Sequence, residues 1–193
     1  MSKIFRDGIS NAIKRLEDPN RINRHNPDIL FPKVGLRTGM IVADLGCGTG
    51  FFALPASRIV GPNGMVYAVD FTPGILEVLK TKIQQSHITN VKVIESNILS
   101  TTIDADLIDL ALLANVFHDV DKEAVLRECW RILKHSGELL VIDWKKADTG
   151  DGPPVELRVK EEDAIRIIQT NGWKVNDHFE AGPAHYAIIA SKI

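Results

Sequence analysis

The stretch ADLGCGTGFF, from Ala43 to Phe52, sets an acid, Asp44, just ahead of three glycines at alternate positions, Gly46, Gly48 and Gly50. Glycine lets the backbone turn sharply and lets a ligand approach where a Cβ would stand in the way. A helical run is read over Phe51–Val60, so unpaired N–H groups and the positive end of a helix dipole face the same place. Such a loop suits an anionic group or a nucleoside. A nucleoside needs a second contact, and Asp70 offers one. It closes the next apolar run, 20 residues past Gly50, where one carboxylate can accept both ribose hydroxyls.

Two nucleoside cofactors fit this pair: a dinucleotide such as NAD, or S-adenosylmethionine. The dinucleotide fingerprint G-x-G-x-x-G fails here, because Phe51 stands at the third glycine's place and Gly50 falls one position early. Asp44 separates the two further. A charge at a buried strand end is costly unless it is paired. A neighbouring pyrophosphate would make it worse; the ammonium and sulfonium of S-adenosylmethionine would make it useful. The plainer role for Asp44, bonding N–H groups of its own loop, is compatible with that one.

Helices and strands must position these groups. Phe5, Ile9, Ile13 and Leu16 recur at helical spacing, and Asp18-Pro19-Asn20 ends that helix; Asn26-Pro27 opens a short second one. From Met40 onward short apolar runs alternate with amphipathic ones. Strands are predicted at Met40–Leu45, Met65–Val69, Val91–Glu95, Leu107–Leu113 and Leu139–Ile142, with helices between, including one opened by Pro73, one capped by Asp121 and stopped by Gly137, and one over Val159–Asn171. Two late strands, Lys174–Phe179 and His185–Ser191, are split only by Gly182-Pro183, too short a link for a helical crossover, so one of them runs antiparallel. The pattern predicts an α/β fold: a doubly wound, mostly parallel sheet ending in a reversed hairpin.

The segments VADLGCGTGFFALPAS and VYAVDFTP resemble motifs I and II of the class I S-adenosylmethionine-dependent methyltransferases, and the resemblance runs from about Leu36 to the end of the chain. It implies a seven-stranded Rossmann-like methyltransferase fold, an S-adenosylmethionine-binding domain over residues 35–193, and a helical lid over residues 1–34. It also implies the site. Gly46, Cys47, Gly48 and Gly50 would pass beside the methionine part of the cofactor, Asp44 would hold its amino group and Asp70 its ribose. Asn97 and Ile98 would face adenine, with Asn97 replacing the family's frequent aspartate. Phe71 would pack on adenine or in the core, and Asn115 would contact cofactor and acceptor.

The stretch FHDVDKEAVLRECWRIL is similar to small-molecule O-methyltransferases, in which a His-Asp pair precedes a helix and the histidine is the general base, and also to the ubiquinone/menaquinone-type C-methyltransferases. An ordinary imidazole pKa of ~6.5 suits a base, so His118 is the candidate catalytic residue; an uninvolved histidine at a helix entry is the alternative. Asp119 and Asp121 read as helix-start residues. Asn115-Val116-Phe117-His118 lacks the Pro-Pro-aromatic sequence of base N-methyltransferases. Asp143 and Trp144 fall at the active-face end of a strand, and Arg21, Asn23, Arg24 and His25 fall in the lid.

Composition narrows the classes. The chain has 193 residues, 45% hydrophobic and 25% charged, with a net charge of -2, so no global basic field favours nucleic acid. Two cysteines, Cys47 and Cys129, and six scattered histidines make neither a disulfide framework nor a metal site. No signal peptide or apolar membrane span is evident, and the expectation is a cytoplasmic enzyme with a small-molecule methyl acceptor. A protein or RNA methyltransferase, an oxidoreductase and a non-catalytic cofactor-binding protein are the alternatives. Oligomeric state is not written in the sequence.

Overall fold

The computed structural model describes residues 8–193; Phe5, counted above toward the first helix, lies outside the described residues. Three short helices come first: α1 (Ile9–Leu16), α2 (Arg21–Arg24) and α3 (Pro27–Lys33). Pro27 opens α3 while the Asn26 side chain accepts the Asp28 N–H, the expected start signal. The spacing did not show α2, a single turn between Asn20 and His25.

The remainder alternates: β1 (Ile41–Leu45), α4 (Ala53–Val60), β2 (Met65–Asp70), α5 (Pro73–Gln85), β3 (Val91–Glu95), β4 (Ile108–Ala114), α6 (Lys122–Ile132), β5 (Leu133–Trp144), α7 (Glu161–Thr170), β6 (Trp173–Gly182) and β7 (His185–Lys192). One seven-stranded sheet has the order β3-β2-β1-β4-β5-β7-β6. β1 to β5 pair in parallel, and β7 is antiparallel to both neighbours. The expected doubly wound sheet with a reversed terminal hairpin is therefore present.

Its strands are apolar on both faces because both are covered. Leu45, Leu113, Val141 and Ile188 pack with Val125, Cys129 and Ile168 on one side; Val42, Leu110, Leu140 and Ala187 pack with Phe31, Ala56 and Leu79 on the other. Asp109, the lone acid in β4, is satisfied at the strand's lower end by the Ile41 N–H (2.8 Å) and Lys134 Nζ (2.7 Å).

Gly137 does not stop a helix. α6 ends at Ile132 and β5 begins at once, with Gly137 inside it. A Cβ there would stand 2.8 Å from the Ile108 carbonyl, beside the register shift between β4 and β5. The glycine marks close backbone approach within a strand, not an end cap.

The sheet order reverses direction between β1 and β4, and ligands of such sheets bind at the carboxyl ends of the strands flanking that point. Outside the cavity lining, Glu128 of α6 is buried and accepts from the Thr101 N–H (2.8 Å), Thr101 Oγ1 (2.6 Å) and Arg131 Nη2 (2.6 Å). Removing the carboxylate would strand these donors. Glu128→Ala should cost about 2–4 kcal/mol in urea unfolding with ligand affinity of the folded protein unchanged; a loss under about 0.5 kcal/mol would show the network to be dispensable.

Candidate active site

β1 and β4 lie side by side with Ala43 opposite Ala111 and Asp44 opposite Leu112, so the segments that leave them, Gly46–Gly50 and Asn115–Val120, share one mouth. Gly46 has φ +84°, and a Cβ there would collide with the Val116 side chain. The Gly46 and Cys47 N–H groups both donate to the Val69 carbonyl (2.8 and 3.0 Å), tying the loop to β2. Asp70, at the end of β2, accepts the Gly48 N–H (3.1 Å) with one oxygen and the Thr72 N–H (3.0 Å) with the other. Each oxygen keeps a second lone pair, so Asp70 shapes the loop and can still accept hydroxyls.

Asp44 is 2% exposed, and its Oδ2 has no partner. Burial, then the nearby Asp70 carboxylate, push its pKa up to about 7, against the Ala53 N–H and the Arg21 charge. Burial also raises Asp70, with the Thr72 and Gly48 N–H groups opposing. The Cys47 thiol is pushed well up by burial and by both carboxylates, which removes it as a nucleophile. A site with two buried acids and an orphaned carboxylate oxygen fits a cationic ligand and repels a pyrophosphate.

A cavity of about 550 Å³ opens here. Asp44, Gly46, Cys47, Gly48, Asp70, Phe71, Asn97, Ile98, Asn115 and His118 all line it. Gly50 does not: it sits behind the wall at φ +90°, where a Cβ would fall 2.5 Å from Leu79. Phe71 is 45% exposed at the rim, which rules out the core role for it. Asn97 Oδ1 accepts the Leu99 N–H (3.0 Å), so it caps the turn after β3 while bordering the cavity.

Asn115 adopts φ +60°. Its N–H donates to the Ile142 carbonyl (2.8 Å), its Nδ2 meets His25 Nε2 (3.2 Å), and its Oδ1 is buried without a partner. His118 pairs not with its sequence neighbour Asp119 but with Asp143, from the end of β5. The His118 N–H donates to Asp143 Oδ2 (2.7 Å), and His118 Nδ1 lies 2.8 Å from Asp143 Oδ1. The Trp144 N–H also donates to Asp143 Oδ1 (2.8 Å). A carboxylate only accepts, so Nδ1 carries the proton and Nε2 is the free acceptor.

Two further walls come from distant segments. Buried Arg158 ties down the chain after β5 through the Pro153 and Ala147 carbonyls (2.9 and 2.6 Å) and Thr149 Oγ1 (2.9 Å), and its guanidinium lies 5.1 Å from the Trp144 ring centroid. From the N-terminal side, Leu16, Arg21, Arg24 and His25 line the cavity. Arg24 bridges to Asp151 (2.7 Å), and Lys82 holds Glu17 (2.7 Å) and the Thr49 carbonyl (3.2 Å). The His25 ring centroid lies 4.3 Å from that of His185 with the planes tilted by 52°, and His185 lies 4.1 Å from Trp144. Burial drives His25 down to about 2 and His185 to about 4, so both imidazoles are neutral. His185 had no sequence signal, since nothing in its strand pattern set it apart. Asp143 had one: it directly follows the predicted strand Leu139–Ile142, at the active-face end.

A methyltransferase-domain family profile matches residues 36–180. A ubiquinone/menaquinone biosynthesis C-methyltransferase UbiE of Vibrio vulnificus is 36% identical over 114 residues, 58% of this chain and 44% of that one. The Marinomonas sp. protein of the same name is 30% identical over 173 residues, 88% of this chain and 63% of that one. The structure of a SAM-dependent methyltransferase from Aquifex aeolicus matches with a TM-score of 0.90 and 30% identity, covering 95% of this chain and 98% of that one. The chain belongs to the methyltransferase-domain family, and its fold is that of the S-adenosylmethionine-dependent methyltransferases. It spans less than two thirds of the length of the Vibrio and Marinomonas relatives.

The raised Asp44 pKa has a stability consequence. With a folded value near 7 against an ordinary 3.8, the cofactor-free folded chain binds an extra proton between those limits, so this group's contribution falls as pH rises through them. Asp44→Asn should lack this slope and gain about 2–4 kcal/mol relative to the native chain on going from about pH 4.5 to pH 8. Urea unfolding of both proteins at the two pH values measures it; parallel pH profiles would refute the uncompensated carboxylate.

Proposed function

We propose that this chain transfers the methyl group of S-adenosylmethionine to a small molecule by in-line displacement. The observation that carries the reading is one cavity lined by the orphaned Asp44 carboxylate, the Asp70 carboxylate and His118, which Asp143 holds from behind. When bound, the cofactor supplies a methyl group on a good leaving group. The chain supplies alignment, water exclusion and, where the acceptor must lose a proton, a base.

In this reading Asp44 holds the cofactor's ammonium, Asp70 its ribose, and Gly46–Gly48 give backbone clearance. Cys47, Asn97, Ile98, Phe71 and Asn115 flank it, while Gly50 acts by shaping the loop. His118 is the base: Asp143 fixes the Nδ1–H tautomer, leaving Nε2 to take a proton from a hydroxyl or an acidic C–H. Residues 8–34 form the lid over residues 35–193.

Support for a small acceptor comes from the enclosure. A volume of about 550 Å³ is of the size that holds one drug-sized ligand. The N-terminal segment forms one of its walls, where a protein or RNA substrate would need an open rim. The UbiE relatives bear names of quinone C-methylation, which makes an electron-rich quinol-like ring one acceptor class to test. A cytoplasmic location belongs to the same reading, on the compositional grounds given above; among the described residues no helix is long and apolar enough to cross a membrane.

Calorimetry should show binding of S-adenosylhomocysteine and none of NAD; the reverse would overturn the assignment. Labelled methyl groups should pass from the cofactor into the small-molecule fraction of a cell extract, and label confined to protein or RNA would favour a macromolecular acceptor. With the acceptor found, His118→Ala and Asp143→Asn should each lower kcat by ~10²–10⁴ while cofactor affinity stays within about twofold. Unchanged turnover in both would remove the base from the mechanism.

A further inference from the structure

Asp44 is an anion without a cation; the same cavity holds the converse. Arg21, at the start of α2, lines the wall together with Asp44. Its guanidinium carbon lies 4.2 Å from the Phe51 ring centroid, and Nη1 donates to the Leu16 carbonyl (2.8 Å). Among the described residues it forms no ion pair within 4.0 Å, whereas Arg24 of the same helical turn bridges both Asp18 and Asp151. Burial, then the charge of Arg24, lower its pKa to about 10, with Asp44 the first of the acids that oppose this. The contacts with Phe51 and the Leu16 carbonyl hold the guanidinium in the wall.

A carboxylate with an orphaned oxygen and a guanidinium with no ion-pair partner within 4.0 Å among the described residues, both lining one cavity, are complementary to a zwitterion. An α-amino acid carries its ammonium and carboxylate on one carbon, which is the end of the cofactor that the reading above already brings to Asp44. We propose that Arg21 binds the carboxylate of the cofactor's amino-acid end, so that the N-terminal segment recognises the cofactor and closes on it. A planar guanidinium suits a carboxylate, and a charge-assisted bond in a half-buried site is strong. Leu16, Arg24 and His25 travel on the same segment. The wall they form is therefore steadied when the cofactor binds.

The inference rests on the cofactor assignment, and one experiment separates the two. S-adenosylhomocysteine and its decarboxylated analogue, the adenosyl thioether that keeps the amine and lacks the carboxylate, are titrated without acceptor into the native chain, Arg21→Met and Arg21→Lys. The native chain should prefer S-adenosylhomocysteine by ~10–100-fold. Arg21→Met should lose about that factor for S-adenosylhomocysteine and less than about twofold for the analogue, with Arg21→Lys between. In the native chain, S-adenosylhomocysteine should slow tryptic cleavage within residues 8–34 and the analogue should not. Equal weakening of both ligands by Arg21→Met, unchanged affinity for S-adenosylhomocysteine, or equal protection by both would overturn the role of Arg21. Binding of neither ligand by the native chain would instead bring down the cofactor assignment.

Discussion

A buried carboxylate that the fold leaves unsatisfied governs this molecule. Asp44 sits at the end of a parallel central strand, in the least hydrated part of the sheet, with one oxygen lacking any donor. Folding compensates that desolvation only in part, through the Ala53 N–H and the Arg21 charge, and Asp70 nearby adds to the cost of ionisation. The unoccupied state is thereby raised relative to a state holding a cation, and part of the affinity for a positively charged ligand is built in before it arrives. Much of the surrounding architecture keeps this arrangement dry and rigid. The loop is anchored on Val69 and Asp70, Val116 fills the space left by Gly46, and the N-terminal segment lies across the opening.

Work is divided along the sheet. The half that contains β1, β2 and β3 supplies carboxylates and backbone amides from strand ends and so presents fixed, short groups. The half that contains β4, β5 and β7 supplies larger side chains: Asn115, the His118–Asp143 pair, Trp144 and His185. These are held in turn by contacts that leave little play. Asp143 accepts three hydrogen bonds, and Gly152 lies against one face of Trp144, close enough that a Cβ would stand 2.8 Å from the indole. Precision of this kind matters for a displacement reaction, in which alignment contributes most of what a protein can offer.

Strand and helix existence was legible from residue order because the apolar runs were short, separated and flanked by turn formers. The glycine loop and Asp70 were legible for a stronger reason: few other needs would set three alternating glycines between an acid and a helix. Legibility failed where a residue's meaning depends on a partner distant in sequence. Gly137 looked like a helix stop because the chain register between β4 and β5 was hidden. His118 was legible as a candidate base but its partner was not, because Asp143 lies 25 residues away. Gly50 read as a lining residue from its motif, yet its left-handed conformation serves the packing behind the wall. The N-terminal segment was the least readable part, since its contacts are with surfaces assembled by all the other elements.

Gly182, at the turn between the last two strands, has the Arg24 carbonyl pressed so closely against it that any side chain would displace the segment carrying Arg21 and His25. The resting place of an early part of the polypeptide is thus made by residues that leave the ribosome late. Non-local pairings of this span form slowly, and the central parallel strands can assemble before this one exists. The cover over the acid-lined cleft therefore depends on the hairpin that receives it. Damage to that hairpin would be felt at the far end of the chain, in the helix it receives, rather than where it occurs.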